Sequence, residues 1–280
     1  MRPSTLGISE GSHNLVASLL NDQQPVPQNT LFDDDCIART CANLSNRNEA
    51  KVIQDISRLL VPSAEAAAFK HESLGILTET VSARWTFSQP LTQTQPAPDY
   101  AVGFRHDAFT RQQSTRMRPF IGNIFVGDES LFLATAYLRV PFLTCEVKGA
   151  GGDLQVADRQ NAHSATLAVR AIAELFLNIG RADEVNREIL AFSISHNDSS
   201  VQIYGHYPVI ADGDISYFRH PIHAGFFKNK THRWTSYRFT MNVYTYWVPM
   251  HWGRLCSAID QLAEVPSEDD SSSAAESEAL

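Results

Sequence analysis

The stretch PFLTCEVKG, residues 141–149, decides the fold class that this sequence predicts. Its apolar and β-branched side chains indicate a buried strand, and the apolar residues around it favour a central place in a sheet. Because alternate side chains share one face of a strand, we expect Glu146 and Lys148 on the same face, about 7 Å apart. A carboxylate and an ammonium on a buried face are costly unless they are paired or used, so this pair is our first candidate site.

Helical patterns flank this strand on both sides. Residues 46–61 predict a helix with Asn46 as N-cap and Glu49 in the third position of a capping box. A second helical pattern covers 63–80, and a long one with many Ala and Leu residues covers 154–179.

Short strand patterns fill much of the remaining chain. They lie at 99–104 (DYAVGF), 131–148, 189–195, 200–207 and 237–247, and a closing helix is predicted at 250–264. The segments 189–195 and 200–207 predict a hairpin around HNDSS. The order of elements predicts an α/β fold with a mixed central sheet flanked by helices.

Composition suits one large folded domain with two different ends. Of 280 residues, 43% are hydrophobic and 19% are charged. We expect residues 1–45 to form a flexible or loosely attached segment, residues 46–265 the folded domain, and residues 266–280 an acidic disordered tail. The tail holds five carboxylates, and without them the net charge of −8 becomes −3. A domain this close to neutral neither requires nor excludes nucleic acid, whereas a protein that coats DNA is clearly basic.

The sequence shows no sign of export or of membrane insertion. It contains no apolar run near the roughly 18 residues that span a bilayer, and no signal peptide pattern at its start. We therefore expect an intracellular protein of the cytoplasm or nucleus, without a membrane partner. The four cysteines form no CxxC pair, so reduced and mostly buried thiols are expected.

A second carboxylate extends the candidate site. Asp99 follows a proline at the start of a predicted strand, and Asp99 and Glu146 could converge on one Mg²⁺, which prefers oxygen ligands. Lys148 could then help deprotonate the attacking water and stabilise charge on a phosphate. The 46 intervening residues imply an insertion at 105–130; otherwise Asp99 is not the partner, and Asp107 is the reserve candidate.

These motifs resemble the fungal branch of the PD-(D/E)XK nuclease-like proteins, which have the restriction-endonuclease-like fold. The matching segments are NEAKVIQDISRLLVPSAE (48–65), PDYAVGF (98–104), PFLTCEVKGAGGDLQVADRQNAHSA (141–165) and the closing aromatic region. The resemblance implies Mg²⁺ or Mn²⁺ as cofactor and DNA or RNA as substrate. Its pattern of a helical Glu, a PD aspartate, an (D/E)XK strand and a polar residue on the next helix would assign site roles to Glu49, Asp99, Glu146, Lys148 and Gln160.

Helix periodicity supports two of these assignments. At about 100° per residue, Glu49 shares the apolar face of its helix with Ile53, Ile56 and Leu60. Gln160 lies in phase with the apolar face of the following helix. Simpler explanations exist for each residue: Glu49 as a capping residue, Asp99 as a turn residue, Glu146 with Lys148 as a structural pair, and Gln160 as an ordinary helix amide.

One basic segment lies outside this pattern. The stretch KNKTHRW, residues 228–234, offers Lys228, Lys230 and Arg233 as phosphate contacts, with Trp234 near them; a solvated loop that leads into a strand explains it equally well. His220 and His223 are separated by a proline, and we expect loop histidines rather than a metal pair.

The leading functional hypothesis is a Mg²⁺-dependent nuclease that hydrolyses phosphodiester bonds. The alternatives are a binding protein that keeps the fold without hydrolysis, and an enzyme that uses the same pocket on a small molecule.

Overall fold

A six-stranded mixed sheet forms the centre of the protein in the computed structural model, which describes residues 1, 4–124 and 126–264. The strands lie side by side in chain order. They are β1 (Leu77–Val81), β2 (Tyr100–Phe104), β3 (Arg139–Val147), β4 (Ala191–His196), β5 (Ser200–Ala211) and β6 (Asp214–Phe226). Every neighbouring pair is antiparallel except β3 and β4, which are parallel. The predicted α/β class with a mixed, helix-flanked sheet is confirmed.

The parallel pair requires a long crossover, and the helix α8 (Leu154–Asn178) provides it. This helix matches the one predicted at 154–179 and packs on β3, β4 and β5. Every residue of β3 is buried, as the stretch 141–149 predicted. The upstream residues 131–138 form irregular structure, so the strand prediction there was too long.

The opposite face of the sheet is covered by a helix where a strand was predicted. Helix α9 (Thr235–Asn242) continues through a π-helical turn (Val243–Trp247) into α10 (Val248–Ile259), so the strand prediction at 237–247 was wrong. Its aromatic and β-branched residues are buried on nearly all sides of the helix, and such a helix lacks the periodicity that separates it from a strand. Pro249 has no N–H to donate to the preceding turn, which accounts for the π-helical turn before it.

The N-terminal segment is packed against the domain. Helix α1 (Glu10–Asn21) places Val16 and Leu19 in the main hydrophobic core and contacts α9. Helix α2 (Ile37–Leu44) adds Leu44 to the same core. This corrects the expectation of a flexible or loosely attached segment at 1–45. The tail predicted at 266–280 lies outside the described residues.

The helix that carries Glu49 begins two residues later than predicted. Asn48, rather than Asn46, is the N-cap, and its side chain accepts a hydrogen bond from the backbone N–H of Lys51. Helix α3 (Glu49–Val52) passes through a π-helical turn (Ile53–Ser57) into α4 (Arg58–Leu60).

The connections between these elements correct two further predictions. The helical pattern at 63–80 holds only α5 (Ala64–Ala68) and a 3₁₀ turn before β1 begins. The connection from β2 to β3 contains α6 (Arg111–Arg116) and α7 (Arg118–Ile121), which is the insertion expected at 105–130.

The predicted hairpin of β4 and β5 is confirmed, and β5 continues into a second hairpin with β6 that the sequence did not indicate. His220 and His223 lie on β6, so they are strand residues and not loop histidines. No described helix has both the length and the apolarity to span a bilayer.

Candidate functional site

Strand pairing brings Asp99 and Glu146 together. In the antiparallel register of β2 and β3, Tyr100 pairs with Cys145 and Ala101 with Thr144. Continuing that register by one residue places Asp99 opposite Glu146, and directly opposed residues point to the same face of a sheet. The insertion between β2 and β3 therefore does not separate the two carboxylates.

Glu146 is the most perturbed acid of this group. It is 3% exposed and makes no side-chain hydrogen bond or ion pair with the described residues. Burial raises the pKa of Glu146 to about 8; the negative charge of Asp99 adds to the increase, and Lys148 opposes it. In the absence of a bound cation, this carboxyl group is protonated through most of the neutral range.

Asp99 is held by the backbone of the neighbouring strand. Its Oδ2 accepts a hydrogen bond of 2.7 Å from the N–H of Val147, which leaves Oδ1 free of that contact. Burial raises the pKa of Asp99 and the charge of Glu49 adds to this, while the hydrogen bond from Val147 and the charge of Lys148 lower it. Glu49, Asp99 and Glu146 thus lie near one another beside the ammonium group of Lys148. We call these three acids the carboxylate cluster.

Lys148 lies at the end of β3 and pairs with Glu49 across a distance of 3.4 Å. The lysine side chain is 16% exposed and the glutamate side chain 43% exposed. Glu49 therefore points toward Lys148, as predicted, but its side chain is partly exposed and is not buried in the core. The pairing of Glu146 with Lys148 alone, the simplest structural explanation, does not match this geometry.

Two glycines shape the turn after β3: Gly149 allows the N-terminus of α3 to approach it closely, and Gly152 allows the turn to fold back on Lys148. A β-carbon on Gly149 would lie 3.1 Å from the backbone nitrogen of Glu49, and one on Gly152 would lie 2.7 Å from the β-carbon of Lys148. The backbone N–H of Ala150 also donates to the carbonyl of Arg47 at 3.0 Å. The GAGG segment thus sets the distance between Glu49 and Lys148.

Gln160 does not lie in the site, although its neighbour Asn161 is close to it. Gln160 is exposed, while Asn161 is fully buried under α8. Asn161 accepts a hydrogen bond from Thr144 at 2.7 Å and donates to the carbonyl of Ile194 and to the hydroxyl of Ser195, both at 2.9 Å. Ser195 lies beside Glu146 in the β3–β4 register, so Asn161 fixes the floor of the site. Adjacent residues of a helix differ by about 100° around its axis, so Asn161 points into the protein while Gln160 points to solvent.

The structure excludes the reserve candidate and separates the basic residues from the carboxylate cluster. Asp107 is exposed and pairs with Arg105 at 2.7 Å. Lys230 and Arg233 both bind Asp34 on the N-terminal segment. Lys228 follows β6, whose end lies three strands from β3, roughly 14 Å away at ordinary strand spacing.

A serine–histidine contact near the site was not predicted. The Oγ of Ser57 lies 2.9 Å from Nε2 of His196, and Nδ1 of that ring lies 3.2 Å from the carbonyl of Asn197. Because a carbonyl only accepts, Nδ1 carries the proton and Ser57 donates to Nε2. Burial lowers the pKa of His196 to about 4, so the ring is neutral. This contact attaches the helix of Glu49 to the end of β4.

The donor set suits a cation that needs few protein ligands. Among residues 1, 4–124 and 126–264, no group of three or more His, Cys, Asp or Glu side chains is arranged to hold a metal ion. Asp99 and Glu146 supply two carboxylates on one face. Mg²⁺ commonly uses one or two carboxylates and completes its shell with water and phosphate oxygens, so these two residues fit Mg²⁺ or Mn²⁺ better than a metal that requires a closed protein cage.

Comparison with known proteins places this chain in one family. The family model for a domain of unknown function, DUF7924, matches residues 36–259, which include the whole sheet and all residues of the carboxylate cluster. The chain belongs to that family. No curated protein matches it.

Proposed function

We propose that the protein is a metal-dependent nuclease with a restriction-endonuclease-like fold, which hydrolyses phosphodiester bonds in DNA or RNA with Mg²⁺ or Mn²⁺. The observation that carries the proposal is the convergence of Asp99 and Glu146 at adjoining strand ends, with Lys148 two residues after Glu146, directly beyond β3. The PD and ExK motifs of the sequence therefore meet in space, as the resemblance to PD-(D/E)XK proteins implies.

The electrostatics of the carboxylate cluster support a cation there. Three acids share a region with one lysine, and burial and mutual repulsion raise the pKa of both Asp99 and Glu146. A divalent cation would offset that repulsion and favour the ionised form of both carboxylates. Groups perturbed in this way concentrate at functional sites.

Each residue has a role in this proposal. Asp99 and Glu146 would hold the metal, which when bound supplies Lewis acidity and lowers the pKa of water. Lys148 orients the attacking water and stabilises negative charge on the phosphate. Glu49 fixes the ammonium of Lys148 through their contact of 3.4 Å. Asn161 holds the strands beneath Glu146 in register.

A second candidate function, a binding protein without hydrolysis, is favoured by one specific observation. Oδ2 of Asp99 is engaged by Val147, Lys148 is engaged by Glu49, and Glu146 is 3% exposed. With these contacts, Asp99 and Lys148 already have partners within the protein, and little of the Glu146 carboxylate is accessible to a ligand. Metal titration separates the two candidates, because the binding protein requires no Mg²⁺ or Mn²⁺ at near-millimolar concentration.

The nuclease proposal is tested by cleavage of end-labelled single-stranded and duplex DNA and of RNA, with Mg²⁺ or Mn²⁺ and with chelator. We expect metal-dependent cleavage by the wild type and a decrease of about 100-fold or more in Lys148→Ala. Lys51→Ala is the matched control, since Lys51 lies on the same helix as Glu49 but bonds Asp55 at the surface, and it should cleave as the wild type does. Cleavage at the same background level by the wild type and by Lys148→Ala would refute the nuclease proposal.

A further inference from the structure

A separate cavity lies between the segment 26–34 and the segment 230–238. Its volume is 460 Å³, within the range of about 300–1,000 Å³ typical of small-molecule sites. Its lining includes Lys230, Arg233 and Arg238, and none of the residues of the carboxylate cluster. The cavity is therefore a distinct place on the molecule, built partly by the N-terminal segment.

The cavity is lined by more positively charged than negatively charged side chains. Lys230 and Arg233 share a single carboxylate, that of Asp34, at 2.7 and 2.6 Å. The carboxylate of Asp33 accepts a hydrogen bond from Thr30. Three cations thus line the cavity with two acids, and only one of the acids neutralises a cation.

Arg238 is the cation that remains unpaired. Its side chain makes no hydrogen bond or ion pair with any residue that the structure describes, and its Nε is shielded from solvent without an acceptor. The Nε of Arg233, whose side chain is 7% exposed, is in the same situation. The other end of the Arg233 guanidinium is engaged, since its Nη1 donates to the carbonyl of Phe32 at 3.0 Å and to Asp34. Guanidinium N–H groups that have lost water without gaining an acceptor favour an anion, and the planar fork of arginine matches phosphate oxygens.

An aromatic ring lies beside these guanidinium groups. Trp234 lines the cavity and is half-buried, with its ring centroid 5.3 Å from that of Phe32 and 5.7 Å from that of Tyr237. These two neighbours hold the indole in place, and a fixed indole offers a stacking surface for a planar base. The cavity therefore combines a site for an anion with a site for a flat ring.

We infer that this cavity binds the phosphomonoester end of a nucleotide, with the phosphate at Arg233 and Arg238 and the base against Trp234. The ligand is either a free mononucleotide or the terminal nucleotide of a strand, because both present the same phosphate and base. The inference goes beyond the proposed hydrolysis and does not depend on it.

Isothermal titration calorimetry on the full chain tests this inference with AMP, adenosine and inorganic phosphate. We expect AMP to bind at least about tenfold more tightly than adenosine, since only AMP supplies charge-assisted hydrogen bonds to guanidinium groups. Arg238→Gln should weaken AMP binding by about tenfold or more, whereas Arg84→Gln, an exposed arginine outside the cavity, should leave it unchanged. Equal binding of AMP and adenosine, or no binding at millimolar AMP, would overturn the inference.

A second variant keeps the test valid if Arg238→Gln unfolds. Lys230 is 80% exposed, so Lys230→Glu leaves the core intact while placing a negative charge at the cavity. It should weaken AMP binding at an unchanged melting temperature, and unchanged binding would count against the inference. A 5′-phosphorylated trinucleotide, compared with its 5′-hydroxyl form and with AMP, shows which of the two ligands the cavity binds. Tighter binding than AMP would identify the ligand as a strand end, and weaker binding would identify it as a free nucleotide.

Discussion

Oδ2 of Asp99 accepts a hydrogen bond of 2.7 Å from the backbone N–H of Val147, a residue 48 positions further along the chain. The contact ties the start of β2 to the end of β3 and places a carboxylate beside Glu146. It gives Asp99 a structural role as well as its proposed role as a metal ligand, and these two roles respond differently to substitution.

Asp99→Asn should retain the fold and lose metal affinity, because the amide oxygen still accepts from Val147 while the charge is removed. Asp99→Ala removes the acceptor as well and should lower the free energy of unfolding by about 1–3 kcal/mol. Urea denaturation and Mn²⁺ titration of both variants provide the measurements. If the two variants are equally destabilised, the hydrogen bond to Val147 contributes nothing to stability.

The stability of the metal-free protein should decrease with rising pH because of Glu146. Its pKa rises from an ordinary 4.5 to about 8 on folding, so the folded state favours the protonated carboxyl. This contribution is complete below the unfolded pKa and is lost as pH rises through about 8. Relative to Glu146→Gln, the free energy of unfolding of the wild type should decrease by roughly 2–4 kcal/mol between about pH 5 and pH 9.

Denaturation of the two proteins in chelator across this range measures the loss. Mn²⁺ should restore stability to the wild type at high pH and leave Glu146→Gln less affected. Parallel stability curves for the two proteins would show that Glu146 does not have the raised pKa described here.

Asn161→Ala should lower the free energy of unfolding by about 2–4 kcal/mol, because it leaves buried partners on three residues without their hydrogen bonds. Gln160→Ala, one position earlier on the same helix, should change it by less than about 0.5 kcal/mol, since that side chain is exposed. Thermal and urea unfolding of the pair provide the comparison. A larger effect at Gln160 than at Asn161 would contradict the packing of α8 described above.

Gly152→Ala should destabilise the protein by about 1–3 kcal/mol, since the new β-carbon would lie 2.7 Å from the β-carbon of Lys148. Gly253→Ala is a suitable comparison, because Gly253 lies inside α10 with open space around it. This substitution should raise the free energy of unfolding by about 0.5–1 kcal/mol. Urea denaturation of both variants tests the prediction. A Gly152→Ala protein as stable as the wild type would show that the approach of this turn to Lys148 is not required.

The sequence by itself determined the elements whose evidence is local. The buried strand around PFLTCEVKG, the long helix that follows it and the β4–β5 hairpin all arise from periodicity and turn residues within a short window. The placement of Lys148 two residues after Glu146, directly beyond the end of β3, has the same origin.

Tertiary structure alone decided how distant residues meet. The register of β2 on β3 selected Asp99 over Asp107, and the docking of α3 on GAGG paired Lys148 with Glu49. Residues 237–247 have a strand-like composition, and their burial against the rest of the domain accompanies a helical conformation instead. The physical reason is that strand register, helix docking and burial depend on contacts between residues far apart in the chain, and the periodicity of a single segment carries no information about them.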